Sequence, residues 1–228
     1  MSGRQARLGL LIIVILAAVA LAPLLHEARS ATPQPLNLVI IWHYHQPWYY
    51  SENDSYFILP WVRMHSVGNY YKMGLILSKY PDVKASFTFT GSLLVQLLDY
   101  VENGTMDYRQ ILSWKIARGE ALTDREVFSM LRMPGGFFDI NWQRIVNVIP
   151  RFSELRDKAK QAFSRYSSLP EEEMIRRVAS EFSEQDIVDL AVLFNLFWMD
   201  PEVVSTEYPE LAELRERALS DPNAHYTR

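Results

Sequence analysis

The stretch "WHYHQPWYY" (residues 42–50) puts two imidazoles, a carboxamide and five aromatic rings at the end of an apolar run. Three chemistries fit the His43-x-His45 pair. Two imidazoles on one face can begin a metal site, which then needs a third protein ligand, and none stands at a suitable spacing. They can bind substrate hydroxyls at the carboxyl end of a buried strand, where α/β sheets keep their ligands. They can also be core residues satisfied by neighbouring groups. A second stretch, "LPWVRMHSVGNYY" (59–71), adds Trp61, Arg63 and His65 just before a helix. Indole faces offer the C–H-rich side of a sugar an apolar platform, while imidazole and guanidinium reach its hydroxyls. The competing reading for Trp48 and Trp61 is a loop folded onto the core.

The surrounding elements decide how these groups are held. "LNLVIIWHYH" (36–45) is short, apolar and rich in branched residues, which predicts a strand buried on both faces. Alternation along it sets His43 and His45 on one face, Trp42 and Tyr44 on the other. Pro47 ends it. A helix follows over 66–81, with Ser66 as N-cap and Pro81 as stop. A second strand is predicted over 83–90, and "GSLLVQLLDYV" continues as a helix capped by Ser92. Strand, helix, strand, helix is the opening of an α/β fold.

From 107 to 208 the signals are helical. The segments "TDREVFSMLRM", "LPEEEMIRRVASEF" and "SEQDIVDLAVLFNLFWMD" each open with carboxylates in the first turn, where the helix dipole favours negative charge. Pro150 interrupts the helical pattern between 141 and 166. "PGGFF" (134–138) is either a loop over a cleft or a tight connection with Phe137 buried. The rings of "LFNLFWMD" recur at helical spacing and predict core.

The N-terminus reads as a targeting segment: Arg4 and Arg7, an apolar run over 8–25, then "ARS" at 28–30. Residues 1–30 are expected to be a signal peptide or, uncleaved, an anchor. Either way the protein is exported, as a secreted or an outward-facing membrane-anchored chain. It has no cysteine, so an exported domain must be held by its core alone. A net charge of −4 with interspersed signs excludes a basic footprint for nucleic acid. No nucleophilic triad order, phosphate-binding loop or dinucleotide fingerprint is present. Glycoside hydrolysis needs two carboxyl groups flanking the bond, about 5 Å apart in a retaining enzyme. The acids here fall mostly on helices, and no such pair is legible.

Taken in order, "NLVIIWHYHQPWYY", "LPWVRMHSVGNYYKM", "GSLLVQLLDY", "MPGGFFDINW" and "EQDIVDLAVLFNLFWMDP" resemble consecutive segments of family 57 glycoside hydrolases, most nearly the amylopullulanase (type II pullulanase) type. The resemblance implies an α/β fold: the N-terminal portion of a distorted seven-stranded (β/α) barrel, then a mostly helical region, over residues 31–228. It implies action on α-1,4 and α-1,6 bonds of starch and pullulan with retention. It also implies that His45 and Gln46 bind the sugar to be cleaved, with His43, Trp48, Trp61 and His65 lining the site. The Glu nucleophile and Asp acid of that family have no counterpart among these segments. The chain is therefore expected to be an incomplete catalytic domain, inactive alone, partnered by an α-glucan and a missing C-terminal half. No cofactor is implied, and calcium is not readable from the sequence. The alternatives are a non-catalytic glycan-binding protein, resting on the rings without the acid pair, and a metal-dependent hydrolase, resting on His43-x-His45 alone.

Overall fold

The computed structural model describes residues 9, 11–21, 36–53 and 55–227. The chain divides into two units, Met1–Ile40 and Ile41–Arg228. In the first, residues 11–21 are helical with exposed side chains. The expected cleavage site at 28–30 lies outside the described residues. Among the described residues no helix is long and apolar enough to cross a membrane.

The second unit opens with β1 (Ile41–Tyr44), which pairs in parallel with β2 (Ser86–Phe89). The link between them carries α1 (Trp61–His65), a π-helical turn (Ser66–Tyr70) and α2 (Tyr71–Ser78). Two expectations need correction. The strand predicted over 36–45 is only four residues long, because among the described residues the sheet has two strands and β2 offers no more ladder. It is also covered on one face only: Tyr44 is 5% exposed, while Ile41 on the opposite face is 49% exposed. The described sheet thus amounts to one strand–helix–strand unit, and the larger part of the chain is helical.

Capping corrects two further readings. Ser66 lies inside the helical run and its hydroxyl donates to the carbonyl of Val62. The Thr90 side chain, and not Ser92, caps α3 (Gly91–Leu98) by accepting from the Leu93 amide. Ser92 is thereby free for another task. A π-helical turn (Asp99–Asn103) follows and closes at Gly104, whose φ of 66° suits a residue without a Cβ.

The helical region runs through α4 (Tyr108–Ala117), α5 (Asp124–Leu131), α6 (Pro150–Tyr166), α7 (Glu171–Ser180), α8 (Glu184–Trp198), α9 (Pro201–Glu207) and α10 (Pro209–Ser220). Thr123 with Glu126, and Ser183 with Asp186, form reciprocal capping boxes. The pattern between 141 and 166 breaks before Pro150 as expected: a π-helical turn (Trp142–Val146) ends, and Pro150 starts α6, where a first-turn residue has no intrahelical donor to lose. Phe137, Phe152, Leu155, Leu190 and Phe194 fill the main core and are almost fully buried. Each such side chain contributes roughly 1.5–3 kcal/mol relative to exposure. A smaller cluster of Tyr44, Tyr49, Phe57, Val62 and Leu93 underlies the sheet, and Trp61 packs against both clusters.

One charged network holds the far end. Arg151 on α6 binds Asp186 and Asp189 of α8, and all three are buried. Asp189 also accepts from the His225 ring and the Tyr226 amide, fixing residues 225–226. Burial alone would raise the Asp186 pKa. Hydrogen bonds from Lys158, the Ser183 amide and Arg151 outweigh it and hold the group at about 2.

Candidate functional site

The segment after β1 is held from below by α3. Ser92 donates to the Gln46 carbonyl at 2.6 Å. One turn on, the fully buried Gln96 accepts from the Tyr49 amide at 2.9 Å and donates to the Pro47 carbonyl at 2.9 Å. The Gln46 carboxamide is committed as well: Nε2 donates to the Tyr70 hydroxyl at 2.8 Å, and Oε1 accepts from the Tyr49 hydroxyl at 2.9 Å. Burial first, then the nearby Tyr70 phenol, raises the Tyr49 pKa, so that hydroxyl remains a donor. The backbone of residues 46–49 is therefore fixed before any ligand arrives.

On this fixed segment the candidate side chains stand in solvent. His43 and His45 are exposed, and His43 Nδ1 lies 2.8 Å from Thr88 Oγ1 on the neighbouring strand. Trp42 and Tyr44 lie on the opposite face, as alternation predicts, and that is the face that packs inward. Trp48 is 57% exposed and packs beside Tyr50, with ring centroids 4.4 Å apart. This group forms a rim at the carboxyl end of β1. Among the described residues no three His, Cys, Asp or Glu side chains come together as a metal site.

Trp61 and His65 belong to a different place. The His65 ring lies against Tyr70 (6.0 Å), Trp61 (6.2 Å) and Trp198 (5.8 Å). Burial lowers its pKa, so the imidazole is neutral at pH 7, with Nδ1 accepting from Asn69 Nδ2 at 2.9 Å. Trp61 and Trp198 then wall a cavity of about 630 Å³, within the range of ligand sites. Trp142 and Arg156 form another wall, with the guanidinium 4.4 Å from the indole centroid. Tyr70 links the two places, since it touches Gln46 through its hydroxyl and His65 through its ring.

Arg63 corrects its sequence reading. It does not face a ligand site but donates to both carboxylate oxygens of the buried Asp107, and to Asn195. The turn 134–138 answers both of its alternatives. Phe137 is buried, while Met133, Pro134 and Phe138 line the cavity. Gly136 is required there: a Cβ would sit 2.3 Å from the Met130 carbonyl oxygen. Asp139 is the carboxylate lining this cavity, and it is paired with the buried Arg109 at 2.8 Å.

Sequence reasoning missed Ser92, Gln96 and Tyr70 below the rim, and Trp142, Trp198, Asp139 and Arg156 around the cavity. Ser92 and Gln96 did carry a signal: two polar side chains one turn apart on an otherwise apolar helix.

The family model described as "Glycosyl hydrolase family 57" matches residues 39–208, which includes the rim, the cavity and α1 to α9. No curated protein and no solved structure matches the chain.

Proposed function

Since the chain belongs to glycosyl hydrolase family 57, we propose that it is an exported α-glucan-binding part of an amylopullulanase-type hydrolase, gripping the sugar to be cleaved with His45 and Gln46. The observation that carries this is the prefixed segment 46–49, with Gln46 locked by Tyr49, Tyr70 and Ser92 and with His45 and Trp48 open to solvent beside it. Preorganisation of this kind lowers the cost of binding a flexible oligosaccharide. His43 stands next to His45 on the same side, and Trp48 supplies a flat face for a pyranose ring.

The same reading makes the chain alone inactive on starch. A retaining mechanism needs a nucleophilic carboxylate and an acid about 5 Å apart across the bond. Near the rim and cavity, Asp107 and Asp139 are each ion-paired with an arginine, and Asp99 accepts from Tyr50 and Asn103. The nucleophile and acid would come from further polypeptide that completes residues 31–228 as a catalytic domain, and residues 1–30 would direct export.

The test is reducing-sugar release from pullulan and amylose by the purified chain, with His45→Ala as control. No release above the control is expected; release well above it would overturn the inactivity. Retardation in an amylopectin gel tests binding. Retarded wild type with a faster Trp48→Ala variant supports the rim, and unchanged mobility of both counts against it. A non-catalytic glycan-binding protein is the second reading, favoured by the same rings without the acid pair. Reducing-sugar release from a complex with a separately encoded partner would exclude it.

A further inference from the structure

We infer that the helical cavity walled by Trp61, Trp142 and Trp198 is a second saccharide site, separate from the rim, that holds a neutral pyranose of the same glucan chain. This rests on the glycan reading for the ligand class and on the cavity itself for the place.

Three features of the cavity fit a sugar better than a purely apolar ligand. The first is the pair of aromatic walls. Trp61 and Trp198 meet at 5.8 Å with planes 56° apart, and Trp142, which lines the same cavity, is 60% exposed. An indole left this open in a concave site presents its face for stacking. The second is a set of uncommitted polar atoms. Asp139 Oδ2 accepts from both Arg109 and the Gly135 amide, leaving Oδ1 without a partner among the described residues. Asn141 Oδ1 accepts from the Arg144 amide, leaving its Nδ2 donors open. Arg156 is 7% exposed and spends one donor on Asn147, so the rest of its guanidinium borders the cavity unpaired. An acceptor, an amide donor and a guanidinium fork beside flat rings match vicinal hydroxyls on a pyranose.

The third feature is rigidity. Trp198 Nε1 donates to the Asp139 carbonyl at 3.2 Å, tying the end of α8 to the wall. Behind that wall, Arg109 stacks on Trp61 at 5.2 Å, and its Nη1 is buried without a hydrogen-bond partner. Side chains held this way need little reordering when a ring enters.

Calorimetric titration of the full chain with maltoheptaose tests the inference, using Trp142→Ala, Trp142→Tyr and Trp48→Ala. Trp142 is exposed enough that its truncation should leave the melting temperature close to wild type. Loss of one stacking face is expected to weaken binding roughly tenfold. Trp142→Tyr, which keeps a flat ring, should recover most of it, and the Trp48/Trp142 double variant should bind more weakly than either single one. If Trp142→Ala binds like wild type while Trp48→Ala does not, the second site is wrong and the rim stands. If wild type binds no maltoheptaose, both fall. Uptake of an apolar dye that Trp142→Ala abolishes and maltoheptaose cannot displace would also overturn the inference, by assigning the cavity to another ligand.

Discussion

The rim after β1 and the tryptophan cavity differ in where their side chains come from. At the rim one short segment supplies nearly everything: Ser92 and Gln96 of α3 fix its backbone, while Tyr49 and Tyr70 hold the Gln46 carboxamide. Its functional groups, His43, His45 and Trp48, remain in water. The cavity draws its walls from α1, the turn at 134–142, α6 and the end of α8, joined across long sequence separations by contacts such as Trp198 to the Asp139 carbonyl and Arg109 to Asp139. The difference has an energetic consequence. A hydrogen bond made in open water nets only about 0.5–1.5 kcal/mol, so the rim alone should grip a sugar weakly. The cavity removes more of a ligand from water and should contribute more per contact.

The largest expected effect separates scaffold from either site. Arg151→Ala leaves Asp186 and Asp189 buried without their main partner, which should cost about 3–5 kcal/mol in urea unfolding. Glucan affinity per folded molecule should hold at both places. A loss below about 1 kcal/mol would show that the network does little for the fold.

Acid titration probes the same network. Asp186 has its folded pKa depressed to about 2 from an ordinary 3.8, so its contribution is complete above 3.8 and vanishes as pH falls through 2. That contribution is on the order of 2 kcal/mol and should disappear from the acid-unfolding curve of Asp186→Asn.

Gln46→Ala comes next and targets the rim. It orphans the Tyr49 and Tyr70 hydroxyls and should cost about 1 kcal/mol of stability while weakening glucan binding. Stability lost with affinity unchanged would make Gln46 a structural residue only.

The smallest effect belongs to His65, which reaches the rim only through Tyr70. Its folded pKa is depressed by burial, so its contribution is complete above the ordinary 6.5 and fades as pH falls through the lower folded value. Melting temperatures down to about pH 5 should fall slightly more for wild type than for His65→Gln. Equal slopes would mean that the ring titrates as if in water.

The opening strand–helix–strand order, the placing of Trp42 and Tyr44 opposite the two histidines, and the acidic first turns after Thr123 and Ser183 were legible, because period and helix-end chemistry are local properties. The length of β1 was not, since a strand extends only as far as its partner does. Ser66 and Ser92 misled for a related reason: a serine before a helical run can cap it, but each here donates its hydroxyl to a carbonyl, Val62 or Gln46. Arg63 read as a binding residue because its partner, Asp107, lies 44 positions away. Trp198 looked like core because its helix is mostly core, and only its position at the last turn brings it to the cavity. Contacts made across the fold leave no periodic trace.

The most direct measurement is the mobility of His45→Ala in an amylopectin gel against wild type. His45 is exposed, so the variant should fold as wild type does. Wild type retarded by the polysaccharide, with His45→Ala moving measurably faster, is the expected result. Equal retardation of the two would contradict the claim that this imidazole grips the glucan.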